Sequence, residues 1–289
     1  MPIPESELVL NKDGSIYHLH LQPKQVADDI IVVGDPERVP KVSRFFDKII
    51  YKVQKREFIT HTGTYKGRML SVISSGIGTD NVEILMTELD ALANIDLKKR
   101  ELKDNHKSLN IIRIGTSGSL QTHIPLGSHL ASAYGVGLDT LMCFYDLPQD
   151  QLESSIGTRL QENLSLPFRP YCVKSSENLL KKFASQMFHG VTATCCGFYA
   201  PQGRKIKANL KIPHLVKTLH EFNVSEKQDF QITNFEMETA GYYAMGQILG
   251  HEMLSLNAIL ANRITNEFHH NPEKSVNELI EKVLEIITQ

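Results

Sequence analysis

The chain has 289 residues, 41% hydrophobic and 22% charged. That is enough apolar material for a sizeable core, and it excludes disorder as the main state. Lys and Arg number 31 against 33 Asp and Glu, a net charge of −2; this argues against a nucleic-acid binder, which usually carries a basic excess, but leaves room for one cationic pocket sized for a small anion.

In chain order, the apolar run 30–33 reads as a buried strand that runs out into Gly34-Asp35-Pro36, followed by a helix over 37–46. Residues 69–74 read as a strand ending at Gly76-Ile77-Gly78. Asp80 is placed to cap the next helix, whose apolar positions Val82, Leu85, Met86, Leu89, Leu92 and Ala93 recur at three- and four-residue spacing. The charge-dense stretch 96–108 reads as a solvated surface insertion. Residues 111–114 read as a strand that ends in Gly115-Thr116-Ser117-Gly118. Further strands are expected at 129–133, 190–195 and 253–260, and helices at 238–249 and 272–287. The stretch 205–227, basic but carrying Leu215, Leu219 and Phe222, is expected to be a helix flanking a pocket. Strands alternating with helices imply a parallel or mixed sheet covered on both faces. With no long Pro/Gly/Ser linker, residues 1–289 read as one domain.

Several chemistries drop out. Gly76-x-Gly78 has Asn81 where a dinucleotide fingerprint needs its third glycine, there is no P-loop, and Gly115-Thr116-Ser117-Gly118-Ser119 lacks the last glycine of a nucleophile elbow. No H-E-x-x-H occurs and the four cysteines make no C-x-x-C pair, so no metal centre is expected. Few cysteines in a chain of this length fit a reducing, cytoplasmic setting. The first ten residues lack the apolar stretch of a signal peptide, and no apolar run reaches about 18 residues, so no membrane association is expected.

What remains lies at strand ends, where open α/β sheets bind ligands. In Gly34-Asp35-Pro36-Glu37-Arg38 a glycine admits close backbone approach, and Arg38 offers planar donors. In Arg113-Ile114-Gly115-Thr116-Ser117-Gly118 an arginine, a threonine and backbone N–H groups between glycines suit a tetrahedral anion such as phosphate. Phe235-Glu236-Met237-Glu238 places two carboxylates at a strand-to-helix junction. Two readings of that pair weigh equally: acceptors for a vicinal diol, or an acidic first turn complementing a helix dipole.

Taken together, Gly34-Asp35-Pro36-x-Arg38, Arg113-Ile-Gly-Thr116-x-Gly118 and Asn234-Phe-Glu236-Met237-Glu238 resemble the nucleoside phosphorylase superfamily, closest to its uridine phosphorylase branch, from about Tyr17 to the C-terminus. The resemblance implies an α/β fold, a three-layer αβα sandwich around a mixed, partly barrel-like central sheet. It implies a pentosyltransferase that converts uridine and phosphate to uracil and ribose 1-phosphate in pyrimidine salvage, with inorganic phosphate as co-substrate and no required cofactor. By that pattern Gly34, Arg38, Arg113 and Thr116 hold phosphate, joined by Arg56 from across a dimer interface. Met237 and Glu238 hold ribose, with His18 reaching its 5′-hydroxyl from the neighbouring subunit; His20, standing where relatives have glycine, competes for that role. Phe198, Gln202, Arg204 and Arg263 form the base pocket, and Arg113, Arg204 and Gln202 carry the catalytic burden. A homodimer is then the minimal active unit, with hexamers common in the family. Glu57 and Ile77 match a monovalent-cation site of some relatives, which would place a potassium ion at the interface, although Asn81 replaces its serine.

Asn262 stands where purine-acting relatives have an aspartate and cannot serve as a general acid, which favours a pyrimidine over a purine. The alternatives are a purine nucleoside phosphorylase or nucleosidase of the same superfamily, and a catalytically silent nucleoside-binding protein. Base release without phosphate, inosine as best substrate, or uracil binding without turnover would separate them.

Overall fold

The computed structural model describes residues 2–183, 187–224 and 227–289, with the side chains of 227–229 left out of the description. The elements run β1 (Asp29–Val33), α1 (Arg38–Ser43), β2 (Lys48–Lys55), β3 (Phe58–Tyr65), β4 (Arg68–Ser74), α2 (Thr79–Asn94), β5 (Ile95–Asp96), β6 (Glu101–Leu102), β7 (Asn110–Ser119), β8 (His129–Leu138), α3 (Gln151–Leu164), β9 (Tyr171–Lys174), α4 (Glu177–Phe183), β10 (Phe188–Cys195), α5 (Leu215–Glu221), β11 (Asn223–Val224), β12 (Lys227–Glu236), α6 (Thr239–Leu249), β13 (Glu252–Asn262), β14 (Glu267–Phe268) and α7 (Pro272–Ile287).

Ten strands form one continuous path, β11-β12-β10-β8-β13-β7-β1-β4-β3-β2. β12 also pairs antiparallel with β7, through Asn234–Ser119 and Phe235–Gly118, and this closes β7, β13, β8, β10 and β12 into a ring. The sheet is mixed: β7 is parallel to β1 and β13, whereas β13 and β8 are antiparallel. This is the α/β fold with a partly barrel-like sheet that the sequence motifs imply.

The side-chain alternation of β1 shows the layering. Ile30 and Val32 face a core with Leu85 and Leu89 of α2 and Tyr242 and Tyr243 of α6. Ile31 and Val33 face the opposite core, with Leu279, Ile280 and Val283 of α7. β1 is buried at every position because both faces are covered, so it appears in the sequence as an unbroken apolar run. The α7 stripe lies inward as its spacing predicts, and the Asn271 carboxamide accepts from Lys274 N–H at 3.1 Å to start the helix before Pro272.

The structure differs from expectation in several places; among them, α1 is shorter than the expected helix 37–46, β9 and α4 are not among the expected elements, and of β12 only its end at the strand-to-helix junction is. The glycine-rich run 115–118 is part of β7 and not a turn, because β13 pairs with it as far as Ser119. α2 begins at Gly78 in the capping position, and Asp80 lies in the first turn without capping it. The β2–β3 hairpin and α3 escape the periodicity, since β2 alternates only between exposed and half-buried positions and α3 is announced chiefly by the Asp150–Glu153 capping box. The stretch 96–108 folds into the β5–β6 hairpin and an exposed tail. Of the stretch 205–227, Leu215–Glu221 is helical as expected, and residues 225 and 226 lie outside the described residues.

Candidate active site

β1 accompanies β7 only from Asn110 to Ile114, and β12 arrives only at Gly118. Between these two partners the β7 edge at 115–117 opens into a cleft of about 950 Å³. Gly34, Arg38, Arg113, Thr116, Phe198, Gln202, Arg204, Met237, Glu238 and Arg263 all line it, so three motifs far apart in sequence meet there.

Arg113 is 4% exposed, and its guanidinium folds back over Gly115, the next residue on the same face of the strand. Nη1 donates to Ser255 Oγ at 3.2 Å and Asn257 Oδ1 at 3.0 Å, both on the paired strand β13. Nη2 meets Glu238 Oε2 at 2.6 Å and Glu236 Oε2 at 2.9 Å. Burial works against the charge, but the two carboxylates more than offset it and hold the Arg113 pKa above its ordinary value. Glu238 is raised above the usual carboxyl value because burial outweighs the attraction of Arg113. Its Oε1 also accepts from the Gly78 N–H at 2.8 Å. Arg38, at the start of α1, donates to the Ile114 carbonyl at 3.1 Å; burial lowers its pKa, opposed by Asp35.

The two carboxylates differ in their surroundings. Glu236 accepts from the backbone N–H groups of Glu238 and Thr239 at the start of α6, so it serves the helix terminus. Both residues line the cleft, but Glu238 has fewer partners. The helix-terminus reading of the pair therefore describes Glu236, whereas Glu238 keeps acceptor capacity toward the cleft.

At the other end of the cleft, Arg204 Nη1 donates to Gln202 Oε1 at 2.5 Å and to the Phe198 carbonyl at 2.6 Å, and its guanidinium lies 3.8 Å from the Phe198 ring centroid. Burial, then neighbouring Arg263, bring the Arg204 pKa down to about 10. Arg263 Nη1 donates to the Gln202 carbonyl at 2.9 Å. This end combines an aromatic face, an amide and two guanidinium groups, a set suited to a planar, carbonyl-bearing ring. Asn262 is spent on the fold: Nδ2 donates to Gln121 O, and Oδ1 accepts from the Ile264 and Thr265 N–H groups.

His18 and Arg56 do not line the cleft of their own chain. The His18 Nδ1 and backbone N–H are both bound to Glu88, at 2.7 and 2.9 Å for Oε1. Arg56 is exposed at the tip of the β2–β3 hairpin with φ 53°. His20 turns to Asp13, at 3.2 Å. Glu57 and Ile77 do line the cleft, but Asn81 Nδ2 donates to the Ile77 carbonyl at 3.5 Å, an amide donor facing the oxygen a cation would need. This geometry does not fit the potassium expectation. The sequence reading missed Phe235, whose ring lies under Arg204 and Arg263, and exposed Phe268 of β14 at the cleft wall. A pairwise strand pattern marks neither as a site residue.

Residues 28–289 match the sequence model of the phosphorylase superfamily. A uridine phosphorylase of Thermococcus kodakarensis is 30% identical over 278 residues, covering 96% of this chain and 88% of the relative. A DeoD-type purine nucleoside phosphorylase of Hahella chejuensis is 24% identical, covering 93% and 96%. Among solved structures, a Trypanosoma brucei nucleoside phosphorylase described as showing uridine phosphorylase activity superposes with a TM-score of 0.88 at 27% identity, covering 97% of this chain and 99% of the other.

Proposed function

The chain belongs to the phosphorylase superfamily, and from that membership we propose that it is a uridine phosphorylase, a pentosyltransferase that converts uridine and phosphate to uracil and ribose 1-phosphate. The observation that carries the pyrimidine reading is Gln202 paired with an Arg204 that stacks on Phe198, in the same cleft as Arg113, Arg38 and Glu238. In this reading Arg38, Arg113, Thr116 and the Gly34 backbone position phosphate beneath the ribose. The Glu238 carboxylate accepts the ribose hydroxyls beside Met237. A phosphate oxygen bonds to C1′ as the bond from C1′ to N1 breaks, and its electron pair spreads over the uracil carbonyls, where Gln202 and Arg204 stabilise it. Uracil then takes a proton from solvent. No protein nucleophile is required; positioning and electrostatics supply the rate.

His18 and Arg56 complete the reading only if a neighbouring copy receives them, so a homodimer is its minimal unit, compatible with a hexamer. Their positions outside their own cleft support this. Among the described residues no helix is long and apolar enough to cross a membrane, and four free cysteines suit a cytoplasmic enzyme. The purine alternative is disfavoured by Asn262, whose side chain is committed to backbone groups on both sides. The test follows free base from uridine, thymidine and inosine with and without phosphate. Phosphate-dependent uracil release is expected. Base release without phosphate, or inosine as the best substrate, would refute this assignment.

A further inference from the structure

The Glu236 carboxylate has no capacity left for a substrate. Oε1 accepts from Thr194 Oγ at 2.7 Å and from the Thr239 N–H at 3.0 Å. Oε2 accepts from the Glu238 and Thr239 N–H groups, each at 3.0 Å, and holds Arg113 Nη2 at 2.9 Å. Two carboxylate oxygens offer about four lone-pair sites, and these donors use them all. The residue is 4% exposed, and Gln202 Nε2 donates to its backbone carbonyl at 3.4 Å. β10, β7, the start of α6 and the base-side loop are thus all tied to one residue.

Glu238 is different. Gly78 N–H and Arg113 Nη2 occupy one site on each oxygen, which leaves acceptor capacity facing the cleft. Yet Glu236 and Glu238 share the same Arg113 nitrogen. If Glu238 were the only counter-ion, a ribose that engaged it would also release the guanidinium that phosphate needs.

We propose that Glu236 is a positioning residue for the phosphate-binding arginine. It acts as a permanent, substrate-free counter-ion that fixes Arg113 while Glu238 exchanges part of its hold on Arg113 for the ribose diol. The proposal rests on the phosphorolysis reading. Glu236 lines the cleft, but its filled carboxylate offers a substrate nothing, so its loss acts on the phosphate side of the reaction, whereas loss of Glu238 acts on the nucleoside side.

The experiment measures initial rates against phosphate and against uridine for the wild-type protein, Glu236→Gln, Glu236→Asp and Glu238→Gln, each with a thermal melt. Glu236→Gln keeps an acceptor for the α6 N–H groups but removes the charge beside Arg113. Its kcat/KM for phosphate is expected to fall about 100-fold, the size of one lost preorganised contact, while its KM for uridine stays within about threefold of wild type. Glu236→Asp restores the charge and recovers part of the loss, and Glu238→Gln raises the KM for uridine. A cooperatively folding Glu236→Gln protein with wild-type phosphate kinetics overturns the proposal. So does a uridine KM that rises in it as far as in Glu238→Gln, since that would place Glu236 on the ribose. If Glu236→Gln does not fold, Thr194→Val loosens the same carboxylate by one bond; a smaller phosphate-side loss is expected, and unchanged phosphate kinetics overturns the proposal. A wild-type protein that releases no base from uridine, thymidine or inosine refutes the phosphorolysis reading instead, and calorimetric binding of inorganic phosphate to wild type and Glu236→Gln then decides the role of Glu236, weaker binding to the variant being expected.

Discussion

Gly115 offers the sharpest test of how tightly Arg113 is held. Its backbone conformation admits any residue, so only space forbids a side chain. An alanine Cβ there would lie 2.0 Å from Arg113 Nη1, 2.5 Å from Cζ and 2.8 Å from Nη2. An ordinary contact is about 3.5 Å, so the guanidinium must retreat by roughly 1.5 Å. A guanidinium is usually free to swing aside, but this one is pinned at both ends, by Ser255 and Asn257 through Nη1 and by Glu236 and Glu238 through Nη2. Retreat therefore breaks charge-assisted hydrogen bonds and misplaces the phosphate contact that the proposed function assigns to Arg113. Misplacement on the order of 1 Å costs about 100-fold in rate, whereas overpacking costs about 1–3 kcal/mol of stability. The assay is uracil release from uridine over a phosphate series, with a thermal melt as control. Gly115→Ala is expected to lose about 100-fold in kcat/KM for phosphate while still unfolding cooperatively. A variant with wild-type phosphate kinetics would show that Arg113 is either not pinned or not a phosphate ligand.

Three further outcomes follow from the same geometry. Arg113→Ala leaves two buried carboxylates without a counter-charge, at a cost of about 3–5 kcal/mol; because burial holds the Glu238 carboxyl above its unfolded value, the deficit is smallest at acid pH and grows as pH rises through that raised value, and equal melting deficits at pH 5 and 8 would contradict the charge argument. Gln202→Ala removes one of the two acceptors of Arg204 Nη1 and, on the proposed base pocket, should lower kcat/KM for uridine far more than for inosine, since a lost polar contact penalises the substrate that uses it; an unchanged uridine-to-inosine ratio would sink the base-pocket assignment. The raised Glu238 carboxyl makes activity fall as pH drops through a value above 4.5, whereas its contribution to stability, which favours the protonated form, is lost as pH rises through that same value. Glu238→Gln should flatten this acid limb of the kcat/KM profile for uridine, and an unmoved limb would assign it to another group.

Much of the scaffold was legible in local pattern. The stripes of α2 and α7 and the apolar run of β1 depend only on which faces are covered, and periodicity records that directly. The Asn271-Pro272 start of α7 is likewise a matter of neighbouring residues. Arg38, Arg113 and Thr116 stood out because polar residues close to glycines at the end of an apolar strand suit a small anion, whereas Glu238 stood out only as one of two carboxylates at a strand-to-helix junction, with its role left open. The sequence also determined that Asn262 has no acidic proton to give.

Tertiary structure decided what each group does with its partners. From its own segment Gly115 looks like a turn residue; only the return of β13 and β12 makes it a strand position over which Arg113 can fold. Glu236 and Glu238 are two residues apart, chemically identical and both in the cleft lining, yet Thr194, 42 residues away on β10, and the α6 N–H groups saturate one and leave the other with acceptor capacity to spare. Phe235 and Phe268 enter the cleft wall through pairings that no local spacing encodes. The general reason is that periodicity reports whether a side chain is buried, whereas the choice of hydrogen-bond and ionic partner depends on which distant strands the sheet brings alongside it.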